Sequence, residues 1–157
     1  PGGPLIDRYA REGNATRFSF PEPRIPGYDF SFSGLKTAIL YFVQEQTARE
    51  PDFVQHNLAD ICASVQHRII TILMNKLVKA AEDTGIRPVC IAGGVSANSG
   101  LRKALADYSE RYGWQYYMPQ FQYCTDNAGM IAITAYYKYL AGEYSDLSVS
   151  PGARSAW

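Results

Sequence analysis

Apolar side chains recur at helical spacing along two long stretches of the chain. Between residues 35 and 46, and again from Pro51–Asp52 to about Asp83, they return at i, i+3, i+4 and i+7. Each stretch predicts a helix, and Gly34 and Gly85 lie at their outer ends. The predicted core faces are Leu35, Ala38, Ile39, Phe42, Val43 and Gln46 in the first helix, and Leu58, Ile61, Val65, Ile69, Ile72, Leu77 and Ala80 in the second.

Short apolar runs predict strands over Val89–Ala92 and Tyr116–Met118, and the alternation in Phe30–Ser33 predicts a third, weaker strand. Each of the first two runs is followed by a polar turn and a helix. The first of these helices is predicted over Leu101–Tyr112. The second is predicted to begin at an Asp126 N-cap and to stop at Gly142, with a core face of Met130, Ile133, Tyr137 and Leu140.

The turn at Gly93–Gly94 is a candidate anion site. A strand, a glycine turn and a helix N-terminus bring backbone N–H groups together without a blocking Cβ, which suits a phosphate. A tight connection without any ligand is the alternative. Because the second strand–turn–helix unit is expected to bring Asp126 to the same edge as Asn98, we predict that the two turns form the sides of one cleft.

The start of the chain predicts a short helix from Pro4 to about Gly13. Asp7 is then expected in its first turn, where the helix dipole stabilises a carboxylate. Residues 15–29 carry three prolines without periodicity and predict an irregular connector.

Composition narrows the class of protein. Fifteen basic and fifteen acidic residues among 157 cancel, so no overall positive field favours nucleic acid. Three widely spaced cysteines fit neither a disulfide framework nor a zinc motif and indicate a reducing, cytoplasmic location. No apolar run is long enough to cross a membrane, and no signal peptide is visible. The opening Pro1–Pro4 lacks a methionine and is interpreted as the start of a piece of a longer chain.

Five motifs occur in an order that resembles the bacterial TsaD family of tRNA threonylcarbamoyladenosine synthesis, formerly labelled O-sialoglycoprotein endopeptidase or glycoprotease. They are PGGP, DFSFSGLKTA, ADICASVQ, IAGGVSANSGLR and CTDNAGMIA. The resemblance runs from Pro1 to about Gly142 and corresponds to the C-terminal half of the family's chain. Gly129 departs from it, since alanine is usual at that position.

The resemblance implies a helix-rich α/β structure, a partial actin-like ATPase (ribonuclease-H-like) domain over residues 1–142 that lacks its N-terminal strands, with a polar tail over 143–157. It implies transfer of threonylcarbamoyl from threonylcarbamoyl-adenylate to the amino group of the adenosine next to the anticodon, in tRNAs that read codons beginning with A. Implied partners of the full-length protein are a TsaB-like paralogue and a TsaE-like P-loop ATPase.

The resemblance also assigns site residues. Asp126 matches a ligand of one iron or zinc ion, and the remaining ligands belong to an H-x-x-x-H helix in the other half of the family's chain. Substrate or nucleotide contacts, to ATP or the adenylate, fall on Gly3, Asp7, Asn98, Gly93 and Gly94. No catalytic nucleophile or general base is assigned.

The sequence also bears on two other functions, a metallopeptidase and an actin-like ATPase or kinase. A metallopeptidase usually has H-E-x-x-H, and the sequence contains no such motif. An actin-like ATPase or kinase would share the fold, and these residues alone are expected to be an inactive piece that binds metal weakly. Apolar helix faces without a covering half predict self-association.

Overall fold

The computed structural model of the chain describes residues 2–150 and residue 152. Helices and two short strands follow one another, with single 3₁₀ turns in the loops after the strands. The helices are α1 (Gly2–Ala10), α2 (Ser33–Arg49), α3 (Phe53–Thr84), α4 (Ser99–Tyr112) and α5 (Ala128–Ala141); the strands are β1 (Pro88–Cys90) and β2 (Gln115–Tyr117); the 3₁₀ turns are Gly94–Ala97 and Phe121–Tyr123.

Strands β1 and β2 form a parallel pair, the one sheet found in the described part of the chain. Val89 lies opposite Tyr116, and α4 is the crossover helix between the two strands, packed on β2. Because the strands are parallel, the loops that follow them leave from the same edge. The predicted strands at residues 89–92 and 116–118 are therefore confirmed, each displaced by one residue at its start.

Helix α3 joins two hydrophobic cores. Near its N-terminal half, α2 and the connector cover it, and near its C-terminal half, β1 and α4 do so. The first core contains Phe20, Leu35, Phe53, Ile61, Val65 and Ile72, and the second contains Met74, Val89, Leu101 and Leu105. With 32 residues and a kink at Asn57, α3 is at most about 48 Å long, which is enough to support both cores.

The close contact between the connector and α3 depends on Gly13. A Cβ at this position would lie 2.0 Å from the Ala59 carbonyl oxygen, so only glycine allows the chain to cross the helix here. The sequence predicted Gly13 as the end of the first helix. Instead, α1 ends at Ala10, and the glycine is required by the backbone contact.

The predicted face of α2 is confirmed: all six positions are buried or half-buried. The strand predicted at Phe30–Ser33 is wrong. Phe30 and Phe32 stack at 6.1 Å between ring centroids, and Ser33 already begins α2. An isolated alternating tetrapeptide has no neighbouring strand to receive its backbone hydrogen bonds, so the alternation does not form a strand here.

Helix α5 forms where it was predicted, and Gly142 ends it in the left-handed conformation. Its predicted core face is wrong, because Met130, Ile133, Tyr137 and Leu140 are 43–63% exposed. None of the helix's residues is buried. Beyond Gly142, residues 143–150 form only a turn near Leu147. In the described residues, no helix is both long and apolar enough to cross a membrane.

Candidate functional site

The loop after β1 is held together by its own polar groups. Gly93 has a φ of 76° and a ψ of 177°, a conformation that a side chain would strain. Its carbonyl oxygen accepts hydrogen bonds from the Ser96 backbone N–H at 3.0 Å and from Ser96 Oγ at 2.7 Å. Since Ser96 is almost fully buried, this bond holds the Gly93–Ala97 loop closed. Gly94 and Gly93 stay exposed, with open space where a Cβ would be.

Asn98 ends this loop and caps α4. Its Oδ1 accepts the Leu101 backbone N–H at 2.8 Å, which satisfies one of the free donors at the helix start. Its Nδ2 donates to Gln66 Oε1 at 2.7 Å, so α3 fixes the other end of the amide. Gln66 is a residue that sequence reasoning missed. It lies at the end of the ADICASVQ motif, and a polar side chain among apolar helix positions was the available signal.

The prediction that Asp7 lies in the first turn of its own helix is wrong. Helix α1 begins at Gly2, and no acidic residue lies in its first turn. Asp7 instead reaches the start of α4, where its Oδ1 accepts the Ser99 backbone N–H at 3.1 Å and Ser99 Oγ at 2.8 Å. Its Oδ2 accepts from Arg11 at 3.1 Å. Gly3 lies one turn earlier in α1, on the same face as Asp7.

The Asp7 carboxylate is stabilised in its charged form. Burial opposes ionisation, but the hydrogen bonds from Ser99 and Arg11 outweigh it, so the pKa of Asp7 lies below its ordinary value of 3.8. This carboxylate occupies the position at the N-terminus of α4 that the sequence suggested for a phosphate. Anion contacts from this loop are therefore left to the exposed backbone at Gly93 and Gly94.

The loop after β2 presents Asp126 to solvent. This side chain has no hydrogen bond or ion pair with the described residues. The prediction that it caps α5 is wrong by one residue: Asn127 Oδ1 accepts the Met130 backbone N–H at 3.2 Å. The carboxylate of Asp126 is thus free for another ligand, which a capping role would have restricted.

Arg102 joins the two loops. From α4, its Nε donates to the Ser96 carbonyl oxygen at 2.6 Å in the first loop. Its Nη2 donates to the Pro119 carbonyl oxygen at 2.5 Å and to Cys124 Sγ at 3.3 Å in the second loop. The guanidinium also lies 4.2 Å from the centre of the Phe121 ring. Sequence reasoning missed this residue, although it ends the IAGGVSANSGLR motif.

The described residues alone do not hold a complete metal site. No group of three His, Cys, Asp or Glu side chains lies close enough together within residues 2–150 to bind an ion. Two grooves lie elsewhere, between the connector and α3, and Phe20 and Arg68 line both of them. What the structure brings together at the sheet edge is the glycine loop, Asn98, Asp7 and the segment that leads to Asp126.

Comparison with known proteins assigns the chain to a family. A family profile described as "TsaD: tRNA N6-adenosine threonylcarbamoyltransferase" matches residues 1–133, most of the chain. The chain belongs to the TsaD family. The resemblance inferred from the five motifs is therefore confirmed.

Curated relatives carry the same description. Proteins named "tRNA N6-adenosine threonylcarbamoyltransferase" from Christiangramia forsetii and Cytophaga hutchinsonii are each 56% identical over 154 residues, and one from Porphyromonas gingivalis is 52% identical. Each match covers 98% of this chain and 45% of the relative. The chain thus spans less than half the length of the TsaD relatives it matches, and its helix-rich α/β structure is compatible with part of a TsaD domain.

Proposed function

We propose that this chain is part of a tRNA threonylcarbamoyltransferase with an actin-like fold, and that residues 1–142 contribute one side of its nucleotide cleft. The observation that carries the proposal is the common edge of β1 and β2, where two loops bearing family motifs are joined by Arg102. In the reaction, the adenosine amine attacks the carbamoyl carbon of threonylcarbamoyl-adenylate. A new N–C bond forms, the bond from that carbon to the phosphate oxygen breaks, the amine nitrogen gives up one proton to solvent, and AMP leaves.

Such a reaction gains most from alignment of the two reactants and from stabilisation of the charge that develops on the leaving group. The exposed backbone at Gly93 and Gly94 is suited to the adenylate phosphate, since neither residue has a Cβ and both face open space. Asn98 is held at both ends of its amide, and its remaining Nδ2 hydrogen is directed by those two bonds. Asp7 approaches the same loop from α1 through its bonds to Ser99, and Gly3 lies one turn before Asp7 on that helix.

Asp126 is the one metal ligand that we assign to this chain. An exposed carboxylate without other partners fits iron or zinc as a single ligand, but a tight site needs several protein ligands. The remaining ligands therefore have to come from residues outside this sequence, as the family resemblance implies. The cytoplasmic tRNA substrate and the TsaB-like and TsaE-like partners belong to the same proposal.

The test compares two carboxylates in the full-length protein that contains this sequence. Asp126→Ala should abolish tRNA modification in the presence of the partner proteins and the adenylate donor, and it should lower the bound metal measured by mass spectrometry. Asp146→Ala is the matched control, because Asp146 is also exposed and its carboxylate bonds only to Ser148 in its own turn. Wild-type modification by the Asp126 variant would contradict the assignment.

A further inference from the structure

We propose that Arg102 is a positioning residue, which sets the distance between the glycine loop and the segment that carries Asp126. This inference rests on the proposed function, since it concerns the same site. Nothing in the family resemblance assigned a role to this arginine, and the structure shows it in contact with both loops.

Two nitrogens of the Arg102 guanidinium donate hydrogen bonds to different loops. Nε donates to Ser96, the buried residue that closes the Gly93–Ala97 loop. Nη2 donates to the Pro119 carbonyl oxygen, two residues after the end of β2, and to Cys124 Sγ, two residues before Asp126. Because a guanidinium is planar and rigid, these bonds fix both loops relative to one group on α4.

The second loop has few other attachments. Phe121 and Asp126 are exposed, and the helix that follows, α5, has no buried residue. Cys124 is the one buried side chain between residues 119 and 127, and Arg102 donates to its sulfur. The cation–π contact with Phe121 adds a further restraint on the same segment. Arg102 is therefore the main link from this loop to the packed part of the molecule.

The first loop, by contrast, keeps its shape without Arg102. Ser96 is bonded to Gly93, and Asn98 is bonded to Leu101 and Gln66. Loss of Arg102 should thus leave the glycine loop and its affinity for the adenylate largely intact. The loop after β2, which carries Asp126, should instead become mobile, so that the bound reactants are misaligned. A displacement of about 1 Å can cost on the order of 100-fold in rate.

Lysine cannot replace this arginine. A lysine ammonium has its three donors on one nitrogen at the end of a flexible stem and has no planar face. It therefore cannot reproduce the guanidinium's bonds to both carbonyl oxygens together with its stacking on Phe121. Arg102→Lys keeps the charge and most of the apolar stem, which makes it the variant most suited to separate positioning from folding.

The experiment measures kcat and KM for the adenylate donor with full-length protein, partner proteins and tRNA. Arg102→Lys and Arg102→Met should lower kcat about 10- to 100-fold, with KM changed less than about threefold because the glycine loop persists. Arg111→Met is the matched control, since Arg111 is exposed on the same helix, and its kcat should equal that of the wild type.

The outcomes separate the two proposals. If the wild-type protein does not modify tRNA, the proposed function fails. If it does, a folded Arg102→Lys protein with wild-type kcat overturns the positioning role, as does a change confined to KM. Circular dichroism and thermal unfolding accompany each assay. If neither variant folds, Arg102 is required for folding rather than for positioning, and the inference is also overturned.

Discussion

Helices α4 and α5 share one local design and differ in their surroundings. Both have 14 residues, both follow a strand of the same sheet, and an asparagine caps each by accepting the N–H three residues on. A left-handed glycine ends each of them, Gly113 at φ 66° and Gly142 at φ 71°. Yet α4 buries Leu101, Leu105 and Ser109, and α5 buries none of its residues.

The difference shows that helix formation and helix packing have separate causes. Capping and periodicity act within about one turn of the backbone, so both helices form. Packing requires a partner surface, and among the described residues only α4 finds one, against α3, β1 and β2. Most helical stability in proteins comes from such packing rather than from propensity, so the two helices should respond very differently to equivalent substitutions.

The largest expected effect comes from the leucines of the two helices. Leu105 is fully buried, and Leu105→Ala should lower the free energy of unfolding of this chain by about 2–5 kcal/mol. Leu140 is 61% exposed, and Leu140→Ala should change it by less than about 0.5 kcal/mol. Urea unfolding followed by circular dichroism measures both, and equal losses would show that α5 is packed after all.

The two asparagine caps should differ less. Asn98→Ala removes the cap of α4 and leaves the Gln66 amide oxygen without its donor, which should cost about 1–2 kcal/mol of unfolding free energy. Asn127→Ala removes an equivalent bond from an unpacked helix. It should reduce the helical circular dichroism signal while the urea midpoint stays unchanged. A shift of that midpoint equal to the Asn98 shift would contradict the comparison.

Helix α4 also receives the Asp7 carboxylate, and this contact should depend on pH. Since the pKa of Asp7 is lowered in the folded state, its contribution is complete above the unfolded value near 3.8 and is lost as pH falls through the lower folded value. Asp7→Asn should cost about 1 kcal/mol at pH 7, and the gap to wild type should narrow below about pH 4.

Asp146→Asn is the control for this acid dependence. Asp146 also has a lowered pKa and accepts from the backbone N–H and Oγ of one serine, Ser148. That turn is local and exposed, so the unfolded chain can form it as well, and the variant should unfold like the wild type at every pH. A pH-independent gap for Asp7→Asn would show that the carboxylate charge is not what α4 uses.

The smallest effect on monomer stability should come from the exposed surface of α5. The predicted self-association would use its apolar side chains, of which Ile131 is 73% and Leu140 is 61% exposed. Changing both to glutamate should weaken association of this chain at least about tenfold in sedimentation, with unfolding free energy altered by less than about 0.5 kcal/mol. Tyr41→Glu, on the exposed side of α2, is the control. A monomeric wild-type chain at millimolar concentration would contradict the prediction.

Much of the fold followed from the residues themselves. Helices α2 and α3 carry apolar residues at a period of 3.6, which predicts a helix, and β1 and β2 are apolar runs between turn residues. The family followed from motif order. The strand at Phe30–Ser33 failed because four alternating residues cannot specify a partner strand. The inward face of α5 failed because periodicity marks an apolar face without showing what covers it.

The site was only partly accessible from the sequence. Asn98 as the helix start and the glycine turn lie within one motif, so local reasoning found them. Asp7, Gln66 and Arg102 act on residues far along the chain, and contacts of that kind leave no periodic signal. Asp126 was predicted as the cap of α5, and Asn127 is the cap. Aspartate and asparagine have similar capping preferences, so only the backbone conformation shows which of the two neighbours caps the helix.

The contact from Asp7 to Ser99 has a consequence for the order in which the molecule assembles. It joins residues 92 positions apart, whereas Asn14, just after α1, meets Ser64 of α3 over 50 positions. The chain entropy lost on closing a segment grows with its length, so α1 should settle on α3 before it meets α4. During synthesis, Asp7 therefore remains hydrated until the start of α4 has been made. The hydrogen bonds between Asp7 and Ser99 form late in folding.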